Sequence, residues 1–128
     1  MSKFFDILDN HFVNQMRMVI LNPGYDDERQ YEDDHMTMIF TIYKHIPGNK
    51  AINGGYIRIV MRNWETKKSF SKTFPLSWFE LDKPDSVIEN IRQGVYINSG
   101  VESRDMLNDW YELKKIELRD QKLNDLGI

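Results

Sequence analysis

Two segments of the chain alternate apolar and polar side chains, a pattern typical of β-strands with one buried face and one solvated face. The first covers residues 36–46 and the second covers residues 56–64. Their inward-facing residues are Met36, Met38, Phe40 and Ile42, followed by Ile57, Ile59 and Met61. The connection PGNKAINGG is rich in turn-forming residues, and FSKTF adds a third strand that Pro75 ends. Three successive strands with short connections predict an antiparallel meander.

A helix is predicted before these strands. Ser2 can cap it, and apolar residues spaced by three and four extend it to about residue 15. This stripe consists of Phe5, Leu8 and Phe12. Residues 16–21 fit two structures, because their apolar residues could continue the stripe while valine and isoleucine also favour a strand.

A short helix is predicted after the strands. Asp82 has the character of a cap, Pro84 suits the first turn, and Gly94 suits the position just past the helix end. Residues 95–97 are then expected to be extended. We therefore predict a helix that ends at Gly94.

A long helix is predicted at the end of the chain, starting at Ser99 or Ser103 and ending near Leu126. Its apolar stripe is wide at first and then becomes sparse. The stripe consists of Met106, Leu107, Trp110 and Leu113, followed only by Ile116 and Leu123. The last turns of this helix are therefore expected to be mostly solvated.

The length of 128 residues suits one domain, which we assign to residues 1–128. An apolar content of 41% provides for one ordinary hydrophobic core. The predicted fold class is α+β. It consists of a three- to four-stranded antiparallel meander, an N-terminal helix, a short helix and a long C-terminal helix.

The chain contains no cysteine, which excludes disulfides, thiolate nucleophiles and cysteine-ligated metal sites. Its first apolar run contains two carboxylates and does not fit a signal peptide. Its apolar runs are also far shorter than the ~20 residues that span a bilayer. We therefore expect a soluble, cytoplasmic protein without membrane contact.

Charge is distributed unevenly along the chain. Residues 22–35 contain six acids and one base, a balance of −5, whereas residues 44–72 contain seven bases and one acid, a balance of +6. The net charge of the chain is only −3. Two neighbouring segments of opposite sign are the sharpest functional signal in the sequence.

The sequence lacks the motifs of metal sites and of catalysis. The acidic stretch GYDDERQYEDDH has Tyr31 where a calcium loop starting at Asp26 requires glycine. His35 and His45 would lie about 33 Å apart on one unbroken strand, too far to share a metal. Ser77 lacks the nucleophile-elbow motif, and no glycine-rich stretch has phosphate-loop spacing. We expect no cofactor, no metal and no enzymatic activity.

Three interpretations of the acidic stretch remain open. It is a solvated loop, a protein-binding segment for a basic surface, or one half of a symmetric homodimer in which it meets the basic hairpin of a second copy. In the second interpretation, two tyrosines act as rigid anchors beside the carboxylates. The predicted protein-binding residues are Tyr25, Asp26, Asp27, Glu28, Tyr31, Glu32, Asp33 and Asp34.

The basic segment supports an alternative function. Aromatic and basic residues share the outward face of the second predicted strand, as in proteins whose rings stack on the bases of single-stranded nucleic acid. No RNA-binding motif accompanies them. The predicted nucleic-acid-binding residues are Tyr56, Arg58, Arg62, Trp64, Lys67, Lys68 and Lys72.

In composition, as a short, cysteine-free, acidic chain rich in methionine and aromatics, the sequence resembles accessory proteins of phages and mobile elements, anti-CRISPR inhibitors among them. The resemblance covers no motif and assigns a role to no residue. The acidic stretch, the lack of catalytic motifs and the exposed final helix favour a non-catalytic inhibitor whose acidic segment binds the basic nucleic-acid channel of a host enzyme. We therefore predict a protein-interaction module, with single-stranded nucleic-acid binding as the alternative.

Overall fold

The computed structural model describes residues 3–23, 27–43, 55–125 and 127. Several predicted features lie outside the described residues. They are Ser2, Tyr25, Asp26, the last residues of the first alternating segment with His45, the PGNKAINGG connection up to residue 54, and Leu126.

Within these residues the chain forms three helices and five strands. Helix α1 spans Lys3–Leu8 and continues with wider π-type turns over Asp9–Gln15. The strands are β1 (Val19–Ile20), β2 (Glu28–Glu32), β3 (Met36–Tyr43), β4 (Tyr56–Asn63) and β5 (Ser69–Pro75). A short 3₁₀ turn (Leu76–Trp78), α2 (Pro84–Asn98) and α3 (Met106–Asp125) complete the fold.

The strands form one antiparallel sheet in the order β1-β2-β3-β4-β5. Each strand pairs with the next along the chain, so the sheet is a meander without crossovers. The predicted α+β class, the antiparallel meander and the N- and C-terminal helices are confirmed. The predicted number of three to four strands is too low.

The two faces of the sheet differ in character. One row on the buried face reads Tyr31, Met38, Met61 and Phe70 across four strands. The neighbouring row points the opposite way and reads Glu32, Thr37, Arg62 and Ser69. We call this second face the outer face. Six of the inward residues predicted for the two alternating segments are confirmed, because each is 0% exposed. They are Met36, Met38, Phe40, Ile57, Ile59 and Met61.

All three helices pack against the buried face. Phe12, just after α1, lies 5.8 Å from the ring of Phe40 on β3 and 6.2 Å from Trp110 on α3. Helix α2 approaches β5, where Gly94 faces the ring of Phe74. The core is therefore a single layer of side chains between one sheet face and the helices.

The structure corrects the prediction of a loop over the acidic stretch, because Glu28–Glu32 forms strand β2. This segment pairs along its whole length with β3. Its inward positions hold only Arg29 and Tyr31, so the sequence shows no apolar alternation. The backbone of this segment forms its hydrogen bonds with the strongly apolar β3, so it is a strand although its side chains do not show the pattern of one.

The helix predicted to end at Gly94 runs instead to Asn98, so residues 95–97 are helical and not extended. Gly94 has a packing role. A Cβ atom there would lie 3.1 Å from Cη2 of Trp78 and 3.2 Å from Cζ of Phe74. The absence of a side chain lets α2 approach these rings closely. Gly94 is therefore required for packing, although in the sequence it resembles a glycine that ends a helix.

The remaining boundaries shift by a few residues. Of residues 16–21, which fitted both helix and strand, Val19–Ile20 forms the short edge strand β1. Helix α3 begins at Met106, later than either predicted serine. Its second half is solvated as predicted, since Ile116 and Leu123 are 50% and 41% exposed.

Candidate functional site

The acidic stretch is distributed over different environments in the structure. Glu28 and Glu32 occupy the outer face of β2 and are half-buried. Asp27 and Asp34 are exposed at the two ends of the strand. Asp33, between Glu32 and Asp34, points into the joint between the sheet and α3. The five carboxylates of this stretch that the structure describes therefore do not form one continuous epitope.

Asp33 is held by four donors. Its Oδ2 accepts a hydrogen bond of 2.8 Å from the indole N–H of Trp110 and lies 3.4 Å from Nζ of Lys114. Its Oδ1 accepts hydrogen bonds of 2.9 and 2.8 Å from the backbone N–H groups of His35 and Met36. Because this carboxylate is nearly buried and fully used within the chain, it is corrected from a partner-binding residue to a structural one.

Tyr31 is also corrected. It was predicted as a surface anchor, but its side chain is 0% exposed. Its hydroxyl donates a 2.6 Å hydrogen bond to Oδ1 of Asp9, and its ring packs 5.4 Å from Phe12. Burial, together with the Asp9 carboxylate, raises the pKa of this phenol far above its usual value. Tyr31 therefore joins β2 to the first helix and offers no ring surface to a partner.

His35 joins three elements. Its Nε2 lies 2.5 Å from Oε1 of Glu117 on α3, and its Nδ1 contacts Oε1 of Glu65 in the β4–β5 turn. Burial by itself would lower the pKa of His35, but hydrogen bonds to Glu117 and Glu65 outweigh it and raise the pKa. When protonated, the ring donates to both carboxylates and ties α3 to the sheet. Sequence reasoning missed this role, because Glu65 and Glu117 are distant in the chain.

A groove of about 520 Å³ opens beside this joint, between the β1–β2 edge of the sheet and the second half of α3. Its carboxylates are Glu32, Asp33, Asp34, Glu117 and Asp120, and its cations are Arg17 and Lys114. Lys114 is 5% exposed and already contacts Asp33 and Glu117. Arg17 is exposed, so the accessible rim has one cation against the exposed Asp34 and Asp120 and the half-buried Glu32 and Glu117, and it is negative overall. We call this feature the acidic groove.

The rim carboxylates of the acidic groove remain available. Asp34 and Asp120 are exposed, and neither side chain forms a hydrogen bond or ion pair with another described residue. Asp120 was predicted only as part of a solvated helix face. Its approach to Asp34 depends on how α3 docks against the sheet, and no local sequence pattern signals it.

The predicted nucleic-acid-binding residues are divided between the two faces. Arg58 and Arg62 are exposed on the outer face of β4. Trp64 is 39% exposed beside them, with Arg62 5.2 Å from its ring, and its indole N–H donates to Thr37 at 2.9 Å. Arg62 and Trp64 are therefore in contact, and Arg58 lies on the same face four residues away along β4.

Of the other predicted members, Tyr56 and Lys72 are separated from these three side chains. Tyr56 is only 8% exposed, so its ring cannot stack on a base, and this assignment is corrected. Lys72 pairs with Ile59 in register, lies on the helix side of the sheet, and donates to Asn98. Lys67 and Lys68 lie in the β4–β5 turn, where Lys67 adopts a positive φ of 62°.

Comparisons with known proteins do not identify a family. Neither a family model, a curated protein nor a solved structure matches the chain. Among the described residues, no group of three or more histidine and carboxylate side chains is arranged to hold a metal ion. No helix in the described ranges has both the length and the apolar character that a bilayer crossing needs.

Proposed function

We propose that this protein is a non-catalytic interaction module whose acidic groove binds a basic surface of a partner protein. The observation that carries the proposal is the rim formed by Asp34 and Asp120, two exposed carboxylates without a cation partner among the described residues. Such a rim attracts arginine and lysine side chains and accelerates encounter with a basic surface.

The specific version of the proposal is inhibition of a nucleic-acid-handling enzyme. The channel of such an enzyme presents arginine and lysine side chains spaced to bind phosphates. Carboxylates on the groove rim compete for these side chains as a phosphate backbone would. The exposed Ile116 and Leu123 on α3 add apolar contact area next to the charged rim.

The test is a pull-down from host extract with the variant Asp34→Asn/Asp120→Asn. We expect capture of the partner to fall at least about tenfold, because both uncompensated charges of the rim are removed. Glu102→Gln/Glu112→Gln is the matched control, since it removes two exposed carboxylates elsewhere. Added single-stranded oligonucleotide should release the captured protein if its nucleic-acid channel is the site. Equal capture by wild type, variant and control would reject the groove.

Single-stranded nucleic-acid binding is the alternative function. It is supported by Arg58, Arg62 and Trp64, which lie on one face of the sheet, but Glu28 and Glu32 on the same face repel phosphate. This function predicts retention of labelled oligonucleotides at low salt, and a loss of retention with Arg58→Ala or Arg62→Ala. That result would transfer the function from the groove to the sheet.

A further inference from the structure

Charge on the outer face follows the register of the sheet. Glu28 on β2 aligns with Thr41 on β3 and Arg58 on β4. Four residues along, Glu32 aligns with Thr37 and Arg62. Both acids therefore lie one strand to one side of β3, and both arginines lie one strand to the other side, at matching heights.

These charges are not paired with each other inside one copy. The carboxylate of Glu28 accepts hydrogen bonds from Asn22 and Thr41, and the carboxylate of Glu32 accepts one from Thr37. All of these donors are neutral. In the described part of the chain, no salt bridge includes either glutamate.

The two arginines also have neutral contacts, and Arg58 reaches away from β2. Nη2 of Arg58 donates to Oγ of Ser71 at 3.3 Å on β5, and Arg62 lies over the ring of Trp64. Neither forms a salt bridge with a described residue. A row of unpaired acids and a row of unpaired bases therefore lie on one solvent-facing surface.

We infer that the outer face binds a second copy of this chain, around a two-fold axis that runs parallel to β3 and lies above it. Such an axis exchanges the two sides of β3 and keeps the height along the strand. It places β2 of one copy over β4 of the other, so that Glu28 faces the second copy's Arg58 and Glu32 faces its Arg62. Symmetry repeats both contacts, which gives four ion pairs.

The charge pattern also selects this axis over the other face-to-face arrangement. The other arrangement has its two-fold axis in the plane of the interface, at right angles to the strands. It would place each strand over the same strand of the second copy, with the strand direction reversed. Arg58 would then face Arg62, and Glu28 would face Glu32, in like-charge contacts that oppose association. Only the axis parallel to β3 makes every charged contact attractive.

The centre of this interface has apolar groups. Ile39 is half-buried on β3 and lies on the proposed axis, so it would contact Ile39 of the second copy. The ring of Trp64 covers Thr37 near the axis and remains 39% exposed, as expected of an aromatic anchor. From β1 to β5 the face is about 19 Å wide and about 23 Å long, a footprint below the ~800 Å² per partner of a standard interface. We therefore expect a dimer that forms at high protein concentration.

The inference goes beyond the proposed function and is tested on its own residues. Sedimentation velocity across a concentration series should show a monomer–dimer equilibrium for the wild type. Glu28→Lys/Glu32→Lys and Arg58→Glu/Arg62→Glu should each weaken the dimer at least about tenfold, because each variant faces like charges. An equimolar mixture of the two variants should restore a dimer, since every contact is again attractive. Asp34 and Asp120 are unchanged in all of these proteins.

A control variant separates the loss of specific contacts on the outer face from a general effect of net charge. Glu102→Lys/Glu112→Lys makes the same change in net charge away from the outer face and should dimerise as the wild type does. A wild type that stays monomeric at every concentration would overturn the inference. So would variants that dimerise unchanged, or a mixture that stays monomeric while circular dichroism shows both variants folded.

Crosslinking tests the position of the axis. Because the chain has no cysteine, Ile39→Cys introduces a single thiol, on the axis and about 10 Å from its copy across two packed sheets. Ser71→Cys, in the same row but two strands away, lies about 22 Å from its copy. A short bismaleimide should join Ile39→Cys into a covalent dimer and leave Ser71→Cys uncoupled. Equal crosslinking of both variants, or preferred crosslinking of Ser71→Cys, would reject this axis.

Discussion

Asp33 and Asp34 are adjacent in the sequence and have opposite roles in the structure. The Asp33 carboxylate is nearly buried and accepts hydrogen bonds from Trp110 and from two backbone N–H groups, next to Lys114. The Asp34 carboxylate is exposed on the rim of the acidic groove. One carboxylate stabilises the joint between sheet and helix, and the next is exposed to solvent.

The difference shows that a run of like charges is not one functional unit. The strand direction at the β2–β3 turn sends one side chain towards α3 and its neighbour towards solvent. A variant that neutralises the whole run would therefore mix unfolding with loss of binding. The two effects separate only when Asp33 is left intact.

The largest effect is expected from Asp33→Ala. Removing this carboxylate leaves the Trp110 N–H and two backbone N–H groups without their acceptor, and it leaves the buried Lys114 ammonium with only the more distant Glu117. We expect a loss of about 3–5 kcal/mol in the free energy of unfolding, as for other buried pairs from which one partner is removed. Chemical denaturation monitored by tryptophan fluorescence measures it.

Asp34→Ala is the matched control for that measurement. Its side chain is exposed, and we expect a change within about 0.5 kcal/mol. Similar losses in the free energy of unfolding for Asp33→Ala and Asp34→Ala would contradict the different structural roles of these two neighbours.

A smaller effect is expected from pH, through two histidines whose pKa values shift in opposite directions. The pKa of His35 is raised, so its contribution to stability is complete below pH 6.5 and is lost as the pH rises through the raised value. Burial lowers the pKa of His11, which lies 2.7 Å from the hydroxyl of Tyr111, so its contribution is complete above pH 6.5 and is lost as the pH falls. Together they predict maximal stability near pH 6.5.

Denaturant titrations over the neutral range check this expectation. His35→Gln should remove the decline on the alkaline side of the maximum, and His11→Gln should remove the decline on the acid side. If His35→Gln keeps the alkaline decline of the wild type, protonated His35 does not couple α3 to the sheet.

The smallest effect is expected from Glu65→Gln. This carboxylate contacts the His35 ring but is 60% exposed, so the ion pair is largely screened by water. We expect a loss of ~0–1 kcal/mol in the free energy of unfolding. A thermal melt beside the Asp33→Ala variant provides the comparison. A loss as large as that of Asp33→Ala would place the stabilising joint in the β4–β5 turn and not at Asp33.

The strongly patterned elements were predictable from the sequence. Alternation in β3 and β4 identified their buried residues, because period two follows directly from strand geometry. Strand β2 was missed, because only Arg29 and Tyr31 face inward and neither position shows an apolar pattern. Gly94 was misassigned as a helix stop, because a glycine required for close packing and a glycine that ends a helix look alike in sequence.

By itself the sequence determined the fold class, the buried faces of the central strands and the separation of acidic and basic segments. These depend on periodicity and composition, which are local properties. Tertiary structure alone decided that Asp33 is buried and Asp34 free, that Asp120 joins the groove, and that Glu28 and Arg58 lie in one row. Each of these depends on which distant segments become neighbours, and that is set by strand register and helix docking.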